Sequence, residues 1–451
     1  MMTRTQLTRL GLFDAKVPRY TSYPTAPHFA GGVGPARFGE WIEAVPEHSA
    51  ISLYLHVPFC RRLCWFCACR TQGTASAAPV AAYVDRLKAE LALLSRHLPR
   101  GVRLSRVHWG GGTPTLLSAD MMRDLGAATR AVADFAEDAE FSVEIDPNEI
   151  DADRLAALRD IGLTRASVGV QDFNPEIQQV IGRDQSYDVT RRAVDMIRDQ
   201  EVQSLNADIL FGLPGQTGAR LTETVQKLLS LSPDRVALYG YAHVPWMAKR
   251  QTLIPTDTLP GPEARLDLFE TAQRLFKWDG FAEIGIDHFA RPDDGLARAA
   301  RAGRLRRNFQ GYTDDTSEVL IGLGASSISR FPQGYAQNAA ATSAYGAAVD
   351  AGQFAIARGH VFQGDDRLRA RMIEAVMCDF RISRSEILRD FDITGPALDT
   401  LFERAEAAFD GTLVITEEGL FVPPAARPLT RMVARHFDAY DLSRAGHSSA
   451  I

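Results

Sequence analysis

From about residue 50 to residue 245, short β-rich runs alternate with stretches whose apolar residues recur every three or four positions. The runs 51–58, 106–109, 141–146, 166–170, 205–211 and 236–241 read as strands. Between them, Val80, Tyr83, Val84, Leu87, Leu91 and Leu94 form one helical stripe. Leu155, Leu158 and Ile161 form a second, with Asp151 placed to cap its start and Gly162 to end it. Leu221, Val225, Leu228 and Leu229 form a third, ahead of Ser232-Pro233. Repeated strand–helix alternation predicts a parallel sheet with right-handed crossovers. An open doubly wound sheet and a full or partial (β/α) barrel both fit. In either, ligands bind at the carboxyl ends of the strands.

Beyond residue 245 the pattern loosens. A strand-like run at 284–289 precedes an Arg-rich helical stretch at 296–307 and a further run at 318–329. After about residue 365, helical segments 367–380, 384–391 and 397–409 lead to a hairpin-like run, 413–422, and a last helix near 429–440. The division this suggests is an extended arm at 1–45, a main α/β unit at 46–330, a connector at 331–364 and a small, mainly helical, winged-helix-like unit at 365–451. Pro18, Pro24, Pro27 and Gly31-Gly32 argue for the arm.

Composition adds exclusions. With 45% hydrophobic and 24% charged residues, the 451-residue chain is neither disordered nor fibrous. A formal charge of −6 gives no general attraction to nucleic acid. No window is apolar enough for a membrane span, and the first residues lack the apolar core of a secretory signal. A cytoplasmic protein with no membrane and no nucleic-acid partner is expected.

Four of the five cysteines, Cys60, Cys64, Cys67 and Cys69, fall within ten residues directly after the first predicted strand. Such a cluster reads as a metal or catalytic site rather than a disulfide framework. A redox cluster, a structural zinc knuckle and incidental core cysteines are the alternatives. Zinc sites usually pair two separated Cys/His couples, whereas these thiols come from one loop. Cys378, on an apolar helical stripe, reads as core.

The spacing Cys60-x3-Cys64-x2-Cys67, with Phe66 before the third cysteine, resembles the signature of the radical S-adenosylmethionine (SAM) enzymes. That resemblance implies a partial (β/α)6 barrel carrying the cluster loop after its first strand. Further strings, among them PRYTSYPTA, WGGGTPT, EIDPNE, SVGVQDFN, DILFGLPGQT, YAHVP, RNFQGYT and FDAY, resemble the oxygen-independent coproporphyrinogen III oxidases of haem biosynthesis from about residue 18 to 440. The activity implied is oxidative decarboxylation of two propionates of coproporphyrinogen III to vinyl groups. The haem-chaperone branch of the same family and a metal-stabilised nucleic-acid-binding protein are the rival readings.

The resemblance also implies residue roles. Cys60, Cys64 and Cys67 hold a [4Fe–4S] cluster whose fourth iron takes SAM. Tyr54, Gly111 and Glu144 contact that SAM. Phe66, Gly112, Thr113, Gln171, Arg183, Asp208, Ala242 and Ile328 contact a second SAM. Cys69, His56, Glu144 and Gln310 line the reacting centre as catalytic side chains. Arg19, Arg291, Arg304, Arg306 and Arg307 are candidates for the substrate propionates, with Tyr20, Tyr23, Phe309 and Gln310 for the macrocycle. A flavodoxin- or ferredoxin-type reductant, an electron acceptor and a monomeric state complete the expectation.

Overall fold

A computed structural model describes residues 2–441 and 446–451. Twelve strands form one sheet: β1 (Ala50–Val57), β2 (Arg103–Gly111), β3 (Asp134–Ile145), β4 (Arg165–Gln171), β5 (Ser204–Phe211), β6 (Arg235–Gly240), β7 (Ala282–Ile284), β8 (His288–Ala290), β9 (Leu320–Leu323), β10 (Ile328–Phe331), β11 (Gly334–Asn338) and β12 (Ile356–Val361). Their spatial order is β12-β11-β10-β9-β1-β2-β3-β4-β5-β6-β8-β7. From β9 through β6 every neighbouring pair is parallel, and the outer pairs are antiparallel. This is an open, partial barrel.

Helices α1 (Ala78–His97), α2 (Ala119–Arg130), α3 (Ala152–Asp160), α4 (Tyr187–Asp199) and α5 (Gly218–Leu229) provide the successive crossovers. The apolar stripe read on α1 is buried along its length. Asp151 caps α3 by accepting the Arg154 amide, and Gly162 follows with φ +95°.

The barrel strands are apolar outward and polar inward. Leu53 and Leu55, Val107 and Trp109, Val143 and Ile145, Val168 and Val170, and Val236 and Leu238 pack in the core beneath the helices. The alternate positions carry Tyr54, His56, Arg106, His108, Glu140, Ser142, Glu144, Arg165, Ser167, Asn206, Asp208, Arg235 and Tyr239. At the amino end this polar interior closes on ion pairs: Arg165 with Glu140 at 2.8 Å, Arg235 with Asp294 at 2.7 Å and Arg106 with Asp314 at 3.2 Å.

Three expectations need correction. The run at 284–289 is two short antiparallel strands, β7 and β8, because Gly285 turns the chain with φ +54°. The Arg-rich stretch is helical only over Gly295–Arg301, and Arg306–Asn308 then pairs with Gly311–Thr313 as a hairpin. Residues 331–364 are no mere connector: they supply β11 and β12, and a helix, Thr342–Asp350, packs against α1.

Beyond residue 365, helices Asp366–Asp379, Arg384–Asp390, Gly395–Ala408 and Thr430–His436 surround a three-stranded antiparallel sheet. The core there is completed by Leu7, Leu12, Val17, Tyr20 and Tyr23 from the N-terminal segment. That segment includes helix Arg4–Arg9, and helix Pro35–Glu43 packs on the barrel instead. Cys378 is buried on its helix. Among the described residues, no helix is long and apolar enough to cross a membrane.

Glu90 on α1 pins the far edge of the barrel. It is 1% exposed and accepts hydrogen bonds from the Gly324 amide, the Asn338 amide group and the Tyr345 hydroxyl. Burial pushes its carboxyl up to about 7, against those bonds. The folded protein therefore holds a neutral acid where the unfolded chain, above its ordinary carboxylate range, holds an anion. Stability is fully present below about pH 4.5 and declines as pH rises to about 7. Glu90→Gln is expected to flatten this decline, about 3 kcal/mol in extent. Urea unfolding of both proteins at pH 5 and pH 8 measures it, and equal slopes would refute it.

Candidate active site

The cysteine loop leaves the carboxyl end of β1 and lies across the mouth of the barrel. Its ends are drawn together where Phe59–Cys60 pairs with Gln72–Gly73. Its middle is seated on loops from the opposite wall. The Trp65 amide donates to Ile181 O at 2.9 Å, and the Gln251 side chain donates to Phe66 O at 2.6 Å and to Ala242 O at 3.0 Å. Arg250 donates to Thr71 O at 3.2 Å.

The thiols sit in unlike surroundings. Burial pushes the Cys60 thiol up to about 11, against a hydrogen bond with Thr113. Burial also raises Cys64, opposed by Arg183, whose Nη1 donates to the sulfur at 3.6 Å. Cys67 is held low by its contact with the Cys69 thiol, with the Cys69 amide donating to its sulfur at 3.4 Å and Arg250 and Arg183 assisting against burial. Three half-buried thiols on one short loop, two of them receiving N–H···S bonds, suit an iron–sulfur cluster. Among the described residues, no three metal-binding side chains converge on a single point. A four-iron cluster needs no such point, since each thiolate takes a different iron. The donor set fits the cluster.

The glycine run that ends β2 proves to be the floor of this loop. A Cβ on Gly110 would stand 2.8 Å from Glu144 Oε1, one on Gly111 2.5 Å from the His56 ring, and one on Gly112 2.5 Å from Phe59 O. The Gly112 and Thr113 amides donate to Val57 O and Phe59 O. Gly112→Ala is therefore expected to lower the iron retained after anaerobic reconstitution several-fold. Gly31→Ala, with nothing within 4 Å, should leave it unchanged. Equal iron in both variants would show that the close approach is dispensable.

Below the loop, a cavity of about 150 Å³ is lined by His108, Glu144, Asp208, Tyr239, His288 and Gln310, among others. Glu144 Oε2 accepts the Gly111 amide at 3.0 Å, and Oε1 lies 3.4 Å from His108 Nε2. Burial pushes this carboxyl up, but His108, the Gly111 amide and His56 outweigh it and hold it below its ordinary range. Tyr54 shares a hydrogen bond with His56 at 2.9 Å, and burial lowers His56, favouring the neutral ring. Asp208 accepts from Asn206 at 2.8 Å and Ser167 at 3.3 Å, yet burial keeps its carboxyl raised.

Among the other expected residues, Gln171 ends β4 with φ +69°, its amide near Gly169. Arg183 donates to Gly169 O at 2.7 Å as well as to Cys64. Phe66 and Ala242 are bridged by Gln251, and Ile328 opens β10. Tyr54, His56, Glu144, Gly111, Asp208 and Gln310 thus face the interior, while Cys60, Cys64, Cys67, Cys69, Phe66, Gly112, Thr113 and Arg183 surround the loop.

The candidate cations divide. Arg19 donates to Gly240 O at the carboxyl end of β6. Arg307 is buried, stacked 4.5 Å from the Tyr312 ring centroid and 3.9 Å from Asp287. Arg291 and Arg304 line the opposite, amino-end mouth with Asp234 and Glu140, so neither faces the cysteine loop. Tyr20 and Tyr23 spend their hydroxyls on Asp438 and the Ala439 amide, locking the N-terminal segment to the C-terminal core.

Residues 54–228 match the model of the Radical SAM superfamily. Over all 451 residues the chain is 63% identical to an oxygen-independent coproporphyrinogen III oxidase of Paracoccus denitrificans, with 100% of both chains covered. It is 38% identical to the Escherichia coli enzyme of that name, covering 94% of this chain and 93% of the relative. The chain belongs to the oxygen-independent coproporphyrinogen III oxidases. The solved structure of the Escherichia coli coproporphyrinogen III oxidase, described as a radical SAM enzyme, superposes with a TM-score of 0.89 at 36% identity, covering 95% of this chain and 100% of that one. A radical SAM oxidase of this family works with a [4Fe–4S] cluster and SAM.

Sequence reading missed several residues that define this oxidase's interior: His108, Ser142, Arg165, Tyr239, Asp287 and His288. A signal was present. Glu140-x-Ser142-x-Glu144 and Arg165-x-Ser167 alternate polar with apolar residues inside strands of a parallel sheet, where both faces are ordinarily apolar.

Proposed function

We propose that this chain decarboxylates two propionate side chains of coproporphyrinogen III to vinyl groups without dioxygen, giving protoporphyrinogen IX. The observation that carries this is a three-thiol loop across the mouth of a polar-lined barrel, in a chain 63% identical to such an oxidase over its whole length. A reduced cluster held by Cys60, Cys64 and Cys67, with SAM bound beside Glu144, would supply the radical chemistry that takes hydrogen from the propionate β-carbon, the resulting electron passing to a separate acceptor as CO2 is lost.

The protein binds, orients and shields. Cys60, Cys64 and Cys67 ligate the cluster, and the Arg183 and Cys69 N–H groups stabilise thiolate charge. Glu144, held ionised, takes an amino or hydroxyl group of the first SAM beside Tyr54 and Gly111. Phe66, Gly112, Thr113, Gln171, Arg183, Asp208, Ala242 and Ile328 serve a second SAM. Cys69, His56 and Gln310 border the reacting carbon. Arg19 and Arg307 are the cations best placed for propionates, since Arg19 reaches a carboxyl-end carbonyl and Arg307 lies in the hairpin that carries Gln310. Closure of residues 18–26 over the barrel, a monomeric state, a flavodoxin- or ferredoxin-type reductant and a separate electron acceptor belong to the same reading.

Anaerobic reconstitution, followed by reaction with coproporphyrinogen III, SAM and dithionite, tests it. Protoporphyrinogen and 5′-deoxyadenosine should appear together. Stoichiometric haem binding without product would instead identify a haem chaperone.

A further inference from the structure

We propose that His108 is a positioning residue that fixes both the orientation and the charge of Glu144, through a hydrogen-bond relay beginning at Arg165. The inference rests on the reading of Glu144 as a SAM contact.

The relay follows from donor and acceptor capacity. Arg165 is anchored by its Nε donating to Glu140 Oε1 at 2.8 Å, and its Nη2 donates to Ser142 Oγ at 3.2 Å. A hydroxyl that accepts this N–H still has one proton to give, and His108 Nδ1 is hydrogen-bonded to the same oxygen. With one lone pair taken by Arg165, the Ser142 hydroxyl can still donate its proton to Nδ1, and the carboxylate on the other side of the ring selects that arrangement by requiring the imidazole proton on Nε2. That nitrogen faces Glu144 Oε1 at 3.4 Å. The opposite tautomer would set a lone pair against a carboxylate oxygen. With Oε2 accepting the Gly111 amide, both carboxylate oxygens are oriented from the protein side.

Two further features are built around this contact. Tyr54 lies nearly parallel to the His108 ring, 13° off, with centroids 5.7 Å apart, which fixes the imidazole plane. At Gly110, a Cβ would stand 2.8 Å from Glu144 Oε1 and 3.0 Å from His108 Nε2, so only glycine leaves the pair its space. His108 is nine-tenths buried, whereas 41% of the Glu144 side chain remains accessible within the interior. The histidine thus acts through the carboxylate rather than on a ligand. The arrangement parallels the outer partners that orient metal-binding side chains.

The test measures the affinity of reconstituted holoenzyme for S-adenosylhomocysteine, an unreactive analogue, by calorimetry between pH 5.5 and 8. The groups facing Glu144 are His108, His56, Tyr54, Cys69 and Asp208. His108→Leu is expected to weaken binding about tenfold at pH 8 and further as pH falls, because a carboxyl without its donor protonates at higher pH. His108→Gln, which puts an amide N–H near the Nε2 position, should stay close to wild type with a flat profile. Ser142→Ala should keep its iron and show the His108→Leu trend in weaker form. That variant decides the matter if His108→Leu fails to fold. Wild-type affinity and pH profile in both His108→Leu and Ser142→Ala would overturn the relay. Glu144→Gln separates the two levels. Unchanged binding there would overturn the SAM-contact reading, whereas weakened binding there with His108→Leu unchanged would overturn the relay alone.

Discussion

Replacing Cys60, Cys64 or Cys67 by alanine is expected to abolish cluster absorbance, iron retention and turnover, while Cys69→Ala keeps its iron and loses product. The three thiols belong to one loop, and under the proposed ligation removing any of them would leave an iron without its protein ligand. Cys69 differs because its backbone amide donates to the Cys67 sulfur at 3.4 Å, a bond alanine retains, so that Cys69→Ala removes only the thiol contact. Its thiol lies within electrostatic reach of Glu144 and Cys60. Iron and sulfide analysis of the four variants, with anaerobic product assays, makes the comparison. A Cys69 variant as iron-poor as the others would make it a ligand. One with full product formation would remove it from the chemistry.

Deleting residues 1–30 is expected to unfold the C-terminal region rather than merely open the active site. Leu7, Leu12, Val17, Tyr20 and Tyr23 are each at most 6% exposed and belong to the core shared with the last helices. At roughly 2 kcal/mol per buried side chain the loss is about 10 kcal/mol, comparable to the whole stability of a domain. The expected result is a lost or split thermal transition. Arg19→Met separates stability from function: melting should change little and product formation should fall. Near-normal melting and turnover of the truncated protein would refute both the packing account and a closing role for the segment.

The sequence was most legible where local patterns decide the structure. The six barrel strands, the α1 stripe, the caps of α3 and the cysteine loop at a strand's carboxyl end were all visible in it. Long-range partnerships were not. Nothing near Tyr20 announces that its hydroxyl binds Asp438, so a locked segment read as an extended arm. Likewise β11 and β12 are short strands whose role in the sheet depends on β10, and they read as a linker. At the site, the residue types that carry known motifs were found. His108 and Arg165 were not, because their importance lies in which atoms face each other across β2, β3 and β4.

The strand that launches the cysteine loop is flanked by β2 on one side and by β9, some 270 residues later, on the other. The loop itself leans on Ile181, Arg250 and Gln251. A growing chain therefore exposes its thiols on the ribosome long before their seat exists. Contacts so distant in sequence close late, after a large loop entropy has been overcome. Iron–sulfur loading must accordingly follow near-complete synthesis, and the cell faces an interval in which four neighbouring cysteines are open to oxidation or to the wrong metal.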